Sequence, residues 1–171
     1  LPPMLEAAGR NVARGRGDVA IYSVAQTSEK RADVSPLPDV SERPADEVVA
    51  ELVESLPKQH LHAATVALGN TELEGPWGAG RAYEWSDAIE AAQLVARVCG
   101  VELDVQAAEY LPWHPGRCAE LQVDGEVVGH AGELHPQILE KLNLPARTCA
   151  MEIDLTAIPL CLLYTSPSPR D

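Results

Sequence analysis

Apolar and polar positions alternate with two distinct periods along this chain, and the period changes mark its elements. Over Leu1 to Ala13, Met4, Leu5, Ala8 and Val12 recur at helical spacing behind a proline-fixed entry, with Gly15 and Gly17 placed to stop the helix. Asp18 to Gln26 (DVAIYSVAQ) switches to a period of two, Val19, Ile21 and Ser23 against Ala20, Tyr22 and Val24, and predicts a strand. Thr27 to Pro44 is polar, holds Pro36, Pro38 and Pro44, and reads as a surface excursion. Asp46 to Leu56 restores the helical period: Val48, Val49, Leu52, Val53 and Leu56 share one face, Asp46, Glu47, Glu51 and Glu54 the other, and Pro57 ends it. The stretch 27–58 is thus a variable excursion carrying an acidic helix.

Leu61 to Gly69 reads as a second strand, followed by the turn-rich Glu74 to Gly80. A helix is expected from Ser86 to Cys99, capped by Ser86 and stopped by Gly100, with Ile89, Ala92, Leu94, Val95 and Val98 turned to a sheet. Val101 to Glu109 is a third strand. Arg117 to Val123 and Val127 to Leu134 flank Asp124-Gly125, the strongest hairpin signal in the chain. Pro136 fits the first turn of a helix reaching about Leu142, and Thr148 to Leu155 closes with a strand. Strands linked by hairpins and isolated helices describe an α+β fold, a mostly antiparallel sheet flanked by helices.

Charge narrows the functions. The formal net charge is −13 over 171 residues. Such a surface repels a phosphate backbone, so this stretch is a poor candidate for a main tRNA- or DNA-contacting surface. Cys99, Cys118 and Cys149 have no CxxC spacing and read as free thiols of a reducing cytoplasm. No apolar run reaches the roughly 20 residues that span a bilayer.

Candidate chemistry concentrates in Trp113-His-Pro-Gly-Arg117 and Gly129-His-Ala-Gly-Glu-Leu-His-Pro136, on either side of the Asp124-Gly125 hairpin. His114-Pro115-Gly116 is expected to form a turn that delivers Arg117 to the start of a strand. Gly129 and Gly132 fall inside a strand, where they cost stability unless a bulge or a close backbone approach needs them. Glu133 and His135 could be an acid/base pair, but a strand end beside a helix start favours a structural contact, with His135 just ahead of the helix opened by Pro136. All of these residues can be architecture. His60 and His62 share a strand face as a possible ligand pair, without a third ligand nearby in sequence, so no metal site is expected. Gly78-Ala-Gly-Arg81 is read as a surface turn rather than a phosphate-binding loop, since no strand arginine cooperates with Arg81.

In this order and spacing, with Asn11 to Gln26, Gly75-Pro-Trp-Gly78 and Met151-Glu-Ile-Asp-Leu155, the chain resembles the β subunit of bacterial phenylalanyl-tRNA synthetase, in an actinobacterial wording, over nearly all of residues 1–160. The resemblance implies a partial class II synthetase-like core module, catalytically degenerate, that packs against the α subunit of an (αβ)₂ enzyme. That enzyme joins phenylalanine to tRNA(Phe) using ATP and Mg²⁺, with the aminoacylation site in α and tRNA contacts outside this stretch. A class II site needs an arginine on its motif-2 strand for the ATP α-phosphate. Asp18 to Gln26 has none, and Tyr22 and Ser23 occupy its centre. The expectation is therefore no catalytic, cofactor or metal residue here, with Trp113, His114, Pro115, Gly116, Arg117, Gly129, Gly132, Glu133, His135 and Pro136 as a structural motif. The competing readings are a stand-alone regulatory or binding paralogue, and an active stand-alone ligase that would require the missing arginines.

Residues 161–171 (CLLYTSPSPRD) back-translate in frame to a transposase-based sequencing adapter and are expected not to be native protein. Removing them takes away one acid and one base, which leaves the net charge at −13. With no initiator ahead of Leu1, both ends are expected to be truncations.

Overall fold

The computed structural model describes residues 1–28, 41, 43–76 and 78–159. Part of the excursion, Trp77 of the Gly75–Gly78 motif and the adapter-like tail lie outside the described residues. In chain order the elements are α1 (Pro2–Ala13), β1 (Val19–Ser28), α2 (Asp46–Glu54), β2 (Gln59–Leu68), β3 (Asn70–Glu72), β4 (Arg81–Ala82), α3 (Trp85–Cys99), β5 (Asp104–Ala108), β6 (Trp113–Val123), β7 (Glu126–Leu134), α4 (Pro136–Leu142) and β8 (Cys149–Asp154). Six strands form one antiparallel sheet in the order β1-β2-β8-β7-β6-β5, and β3 and β4 form a small separate ribbon.

Strand alternation divides the apolar residues between two faces. On one face Ala64, Val66, Leu68, Leu134 and Ala150 meet Met4, Leu5 and Ala8 of α1 and Leu139 of α4. On the other, Ala63, Leu121, Ala131, Met151 and Ile153 meet Ala88 and Ala92 of α3. Thus α3 lies mainly over β7 and β8. Its buried line is Ala88, Ala92 and Ala96, while Leu94 and Val98 are 55% and 80% exposed. The expected face was rotated: small side chains let the helix backbone approach the sheet, and the larger Ile89 and Val95 pack along the margin.

The cap differs too. Helix α3 starts at Trp85 with Glu84 as N-cap, and Asp87, not Ser86, accepts the Glu84 N–H at 2.7 Å. Asp87 also takes two bonds from Arg81, at 2.8 and 2.9 Å, which hold its carboxyl below the usual range. Gly100 ends the helix in the left-handed region at φ 74°. Helix α2 buries no residue: Val49 and Val53 are exposed and Val48 and Leu52 only half-buried, so among the described residues its apolar stripe is left largely uncovered. It ends at Glu54, ahead of Pro57. β1 runs on to Ser28, and β5 is shorter than the alternation suggested.

Candidate functional site

The His-Pro-Gly-Arg stretch is not a turn ahead of a strand. It is a bulge inside β6. Trp113 pairs with Leu134 and Cys118 with Gly132, so the four residues His114 to Arg117 lie opposite the single residue Glu133. Gly116 takes φ 84° within the bulge, a conformation that side chains disfavour. The bulge brings Arg117 back over β7, where its Nη1 donates to Glu133 Oε2 at 2.7 Å. The Glu133 side chain is 8% exposed and that of Arg117 42%. The pair ties the signature's two halves together.

The glycines are explained by backbone contact. A Cβ on Gly132 would fall 2.1 Å from the Arg117 carbonyl oxygen, and one on Gly129 would fall 2.2 Å from the Glu152 carbonyl oxygen. Both satisfy the expectation of close approach. His135 is the N-cap of α4; its Nδ1 accepts the Gln137 N–H at 3.2 Å, and Pro136 follows in the first turn. The His135 N–H donates to Pro112 at 2.8 Å. Glu133 and His135 therefore serve different partners. Trp113 is buried and donates its indole N–H to Ala150 at 3.3 Å. Pro115 lies in the bulge beside His114, whose Nδ1 is buried without a hydrogen-bond partner among the described residues.

Beside Trp113, Tyr110 stacks on His130 with ring centroids 4.1 Å apart and planes 9° from parallel. Burial pushes the His130 imidazole below its ordinary range, against the opposing pull of Glu120. Next to this stack, β2 and β8 bring His60 and His62 against Asp154 and Glu152. His60 Nδ1 lies 2.7 Å from Asp154 Oδ2, and His62 Nδ1 lies 3.2 Å from Glu152 Oε1. The two histidines share a face as their spacing indicated. Their carboxylate partners were missed, although Glu152 and Asp154 also stand two apart in a segment read as a strand. Among the described residues no group of three His, Cys, Asp or Glu is arranged to hold a metal ion.

Burial alone would raise the Asp154 carboxyl, but the His60 hydrogen bond, the Thr156 N–H and the neighbouring imidazoles outweigh it, leaving its pKa below the ordinary value. A carboxyl depressed on folding contributes stability above its unfolded pKa of about 3.9, and that contribution is lost as pH falls through the folded value. Asp154→Asn should cost roughly 1–2 kcal/mol at pH 7. Urea midpoints of the two proteins should converge as pH drops below about 4; a gap that stays constant to pH 3 would contradict this role.

The remaining candidates are also absorbed by structure. Arg81 opens strand β4 instead of lying in a turn, and Asp87 holds its guanidinium at the surface. Burial raises the Cys149 thiol to about 12, so it is no nucleophile at neutral pH. Glu120, Glu152, Asp154 and the three imidazoles supply no fixed positive charge to a triphosphate, and both Glu152 and Asp154 are already engaged by histidines. This donor set does not fit ATP. No described helix is long and apolar enough to cross a membrane.

A six-stranded antiparallel sheet, bulged at β6 and flanked by helices, defines an α+β module. Residues 1–155 match the CLM domain of the phenylalanyl tRNA synthetase beta chain, and the chain belongs to that family. It is 63% identical to the phenylalanine–tRNA ligase beta subunit of Corynebacterium efficiens, across 94% of this chain and 19% of that protein. The subunit of Corynebacterium diphtheriae is 58% identical across 98% of this chain and 20% of its own length. That of Nocardia farcinica is 53% identical across 94% and 19%. The chain thus spans about a fifth of the relatives it matches.

Proposed function

We propose that this chain is a non-catalytic scaffold within the β subunit of phenylalanine–tRNA ligase, a degenerate class II module that packs against the α subunit. The assembled cytoplasmic (αβ)₂ enzyme would attach phenylalanine to tRNA(Phe) with ATP and Mg²⁺ at a site in α. One observation carries this reading: Arg117, Glu133 and His135 of the signature are engaged within the fold, Arg117 with Glu133 and His135 with the α4 N-terminus. The arginine-free β1 supports it, because the phosphate clamp of a class II site is missing. The acidic charge supports tRNA contacts elsewhere in the enzyme. Residues 161–171 we assign to adapter sequence.

The test is phenylalanine-dependent exchange of pyrophosphate into ATP. Residues 1–160 alone should give no exchange above background, and the complete enzyme should give it in full. Exchange by residues 1–160 would end the scaffold reading.

A further inference from the structure

The edge of the sheet at β1 lacks the charged and proline residues that keep many edge strands from pairing. Its ten residues, VAIYSVAQTS, contain no charge and no proline. Tyr22 and Val24 point to the α3 side of the sheet and are 82% and 57% exposed. A ten-residue uncharged edge of this kind is a template for another strand.

The register identifies which backbone groups are open. The Leu155 N–H donates to the Leu61 carbonyl at 2.7 Å, so Leu61, and by alternation Ala63, Thr65 and Ala67, turn their backbone groups to β8. His60, His62, Ala64, Val66 and Leu68 turn theirs to β1, where they pair with Thr27, Ala25, Ser23, Ile21 and Val19. The outward set is therefore Ala20, Tyr22, Val24 and Gln26. Their N–H and C=O groups form a row with no partner strand among the described residues.

The surface beside that row is also unfinished. Because α3 lies mainly over β7 and β8, a groove of about 240 Å³ remains between it and β1, with Ala20, Thr65 and Ala67 in its floor and Ala88 and Ala91 on its wall. The lining is mainly apolar, with Thr65, Tyr83 and Asp87 among its polar members, and suits a close-packed neighbour.

We propose that in the whole β subunit a seventh strand pairs with the β1 edge, and that it comes from the part of the same polypeptide lying outside this chain. About four fifths of the relatives' length is outside the matched region. A tethered segment reaches the edge at an effective concentration on the order of millimolar, which a separate subunit has to match by affinity. The strand it supplies should be uncharged and alternating, with apolar side chains that extend the Tyr22 and Val24 face over the groove. The inference stands independently of any catalytic role, since it uses only membership of a longer subunit.

The experiment uses the complete enzyme, with p-benzoylphenylalanine incorporated in place of Tyr22 and with amide exchange read across β1. We expect a photo-cross-link to another segment of the β polypeptide itself. The amides of Tyr22, Val24 and Gln26 should exchange at least on the order of 100-fold slower than open amides. Fast exchange at these three with slow exchange at Ile21, Ser23 and Ala25 would overturn the proposal, as it describes a free edge. A cross-link to the α subunit or to a second β copy would overturn the same-chain strand. Either failure leaves the pyrophosphate-exchange result untouched.

Discussion

An alanine at position 132 is expected to cost about 3–5 kcal/mol, enough to abolish folding of a marginal domain. Two penalties coincide there. The backbone sits at φ 150°, and the new Cβ would lie 2.1 Å from the Arg117 carbonyl oxygen and 3.0 Å from the Cys118 Cα, both fixed by the β6–β7 pairing. Neither contact is the end of a flexible side chain, so relief requires moving β6 and opening the bulge. Gly125→Ala is the control: it has φ 83° but nothing within 4 Å, and should cost only about 1 kcal/mol. Urea midpoints of the two variants compare these costs directly. Equal losses would mean that the close approach contributes nothing.

Arg117→Ala is expected to cost about 2–3 kcal/mol, less than a fully buried pair because Arg117 is partly solvated. Its loss leaves Glu133 as a desolvated carboxylate without its cation, and that is the larger part of the cost. Glu133→Gln in the Arg117→Ala background should therefore recover part of the stability, since a neutral amide is less costly to bury than a charge. A double-mutant cycle checks it. If the double variant is as unstable as the sum of the single ones, the pair is not coupled and the signature needs another explanation.

What could be read from the sequence follows from how local each cause is. The Asp124-Gly125 hairpin, Pro136 as a helix opener and the Gly100 stop are decided by backbone preferences of single residues, and all three stand in the structure. The need for glycine at 129 and 132 was legible as a strand anomaly, whereas its cause was not, because Glu152 and Arg117 come from other strands. The bulge was misread as a turn for the same reason: proline and glycine signal local bending, and only the partner strand shows that pairing resumes at Cys118. The α3 face was misjudged because its large apolar side chains border the contact while alanines make it. Asp154 and Glu152 could not be connected to the histidines without knowing that β8 inserts beside β2.

That insertion bears on how the chain assembles during synthesis. His60 and Asp154 are 94 positions apart in sequence yet touch across the β2–β8 junction. At about 5–20 residues per second, a ribosome takes several seconds or more to make the intervening chain. Throughout that interval the β1–β2 pair would lack its inner neighbour β8, and loop closure over such a span is entropically slow. The nascent subunit thus passes through a period in which the backbone groups of β2 that later meet β8 are open to other strands, so pairing order is set by synthesis as well as by stability.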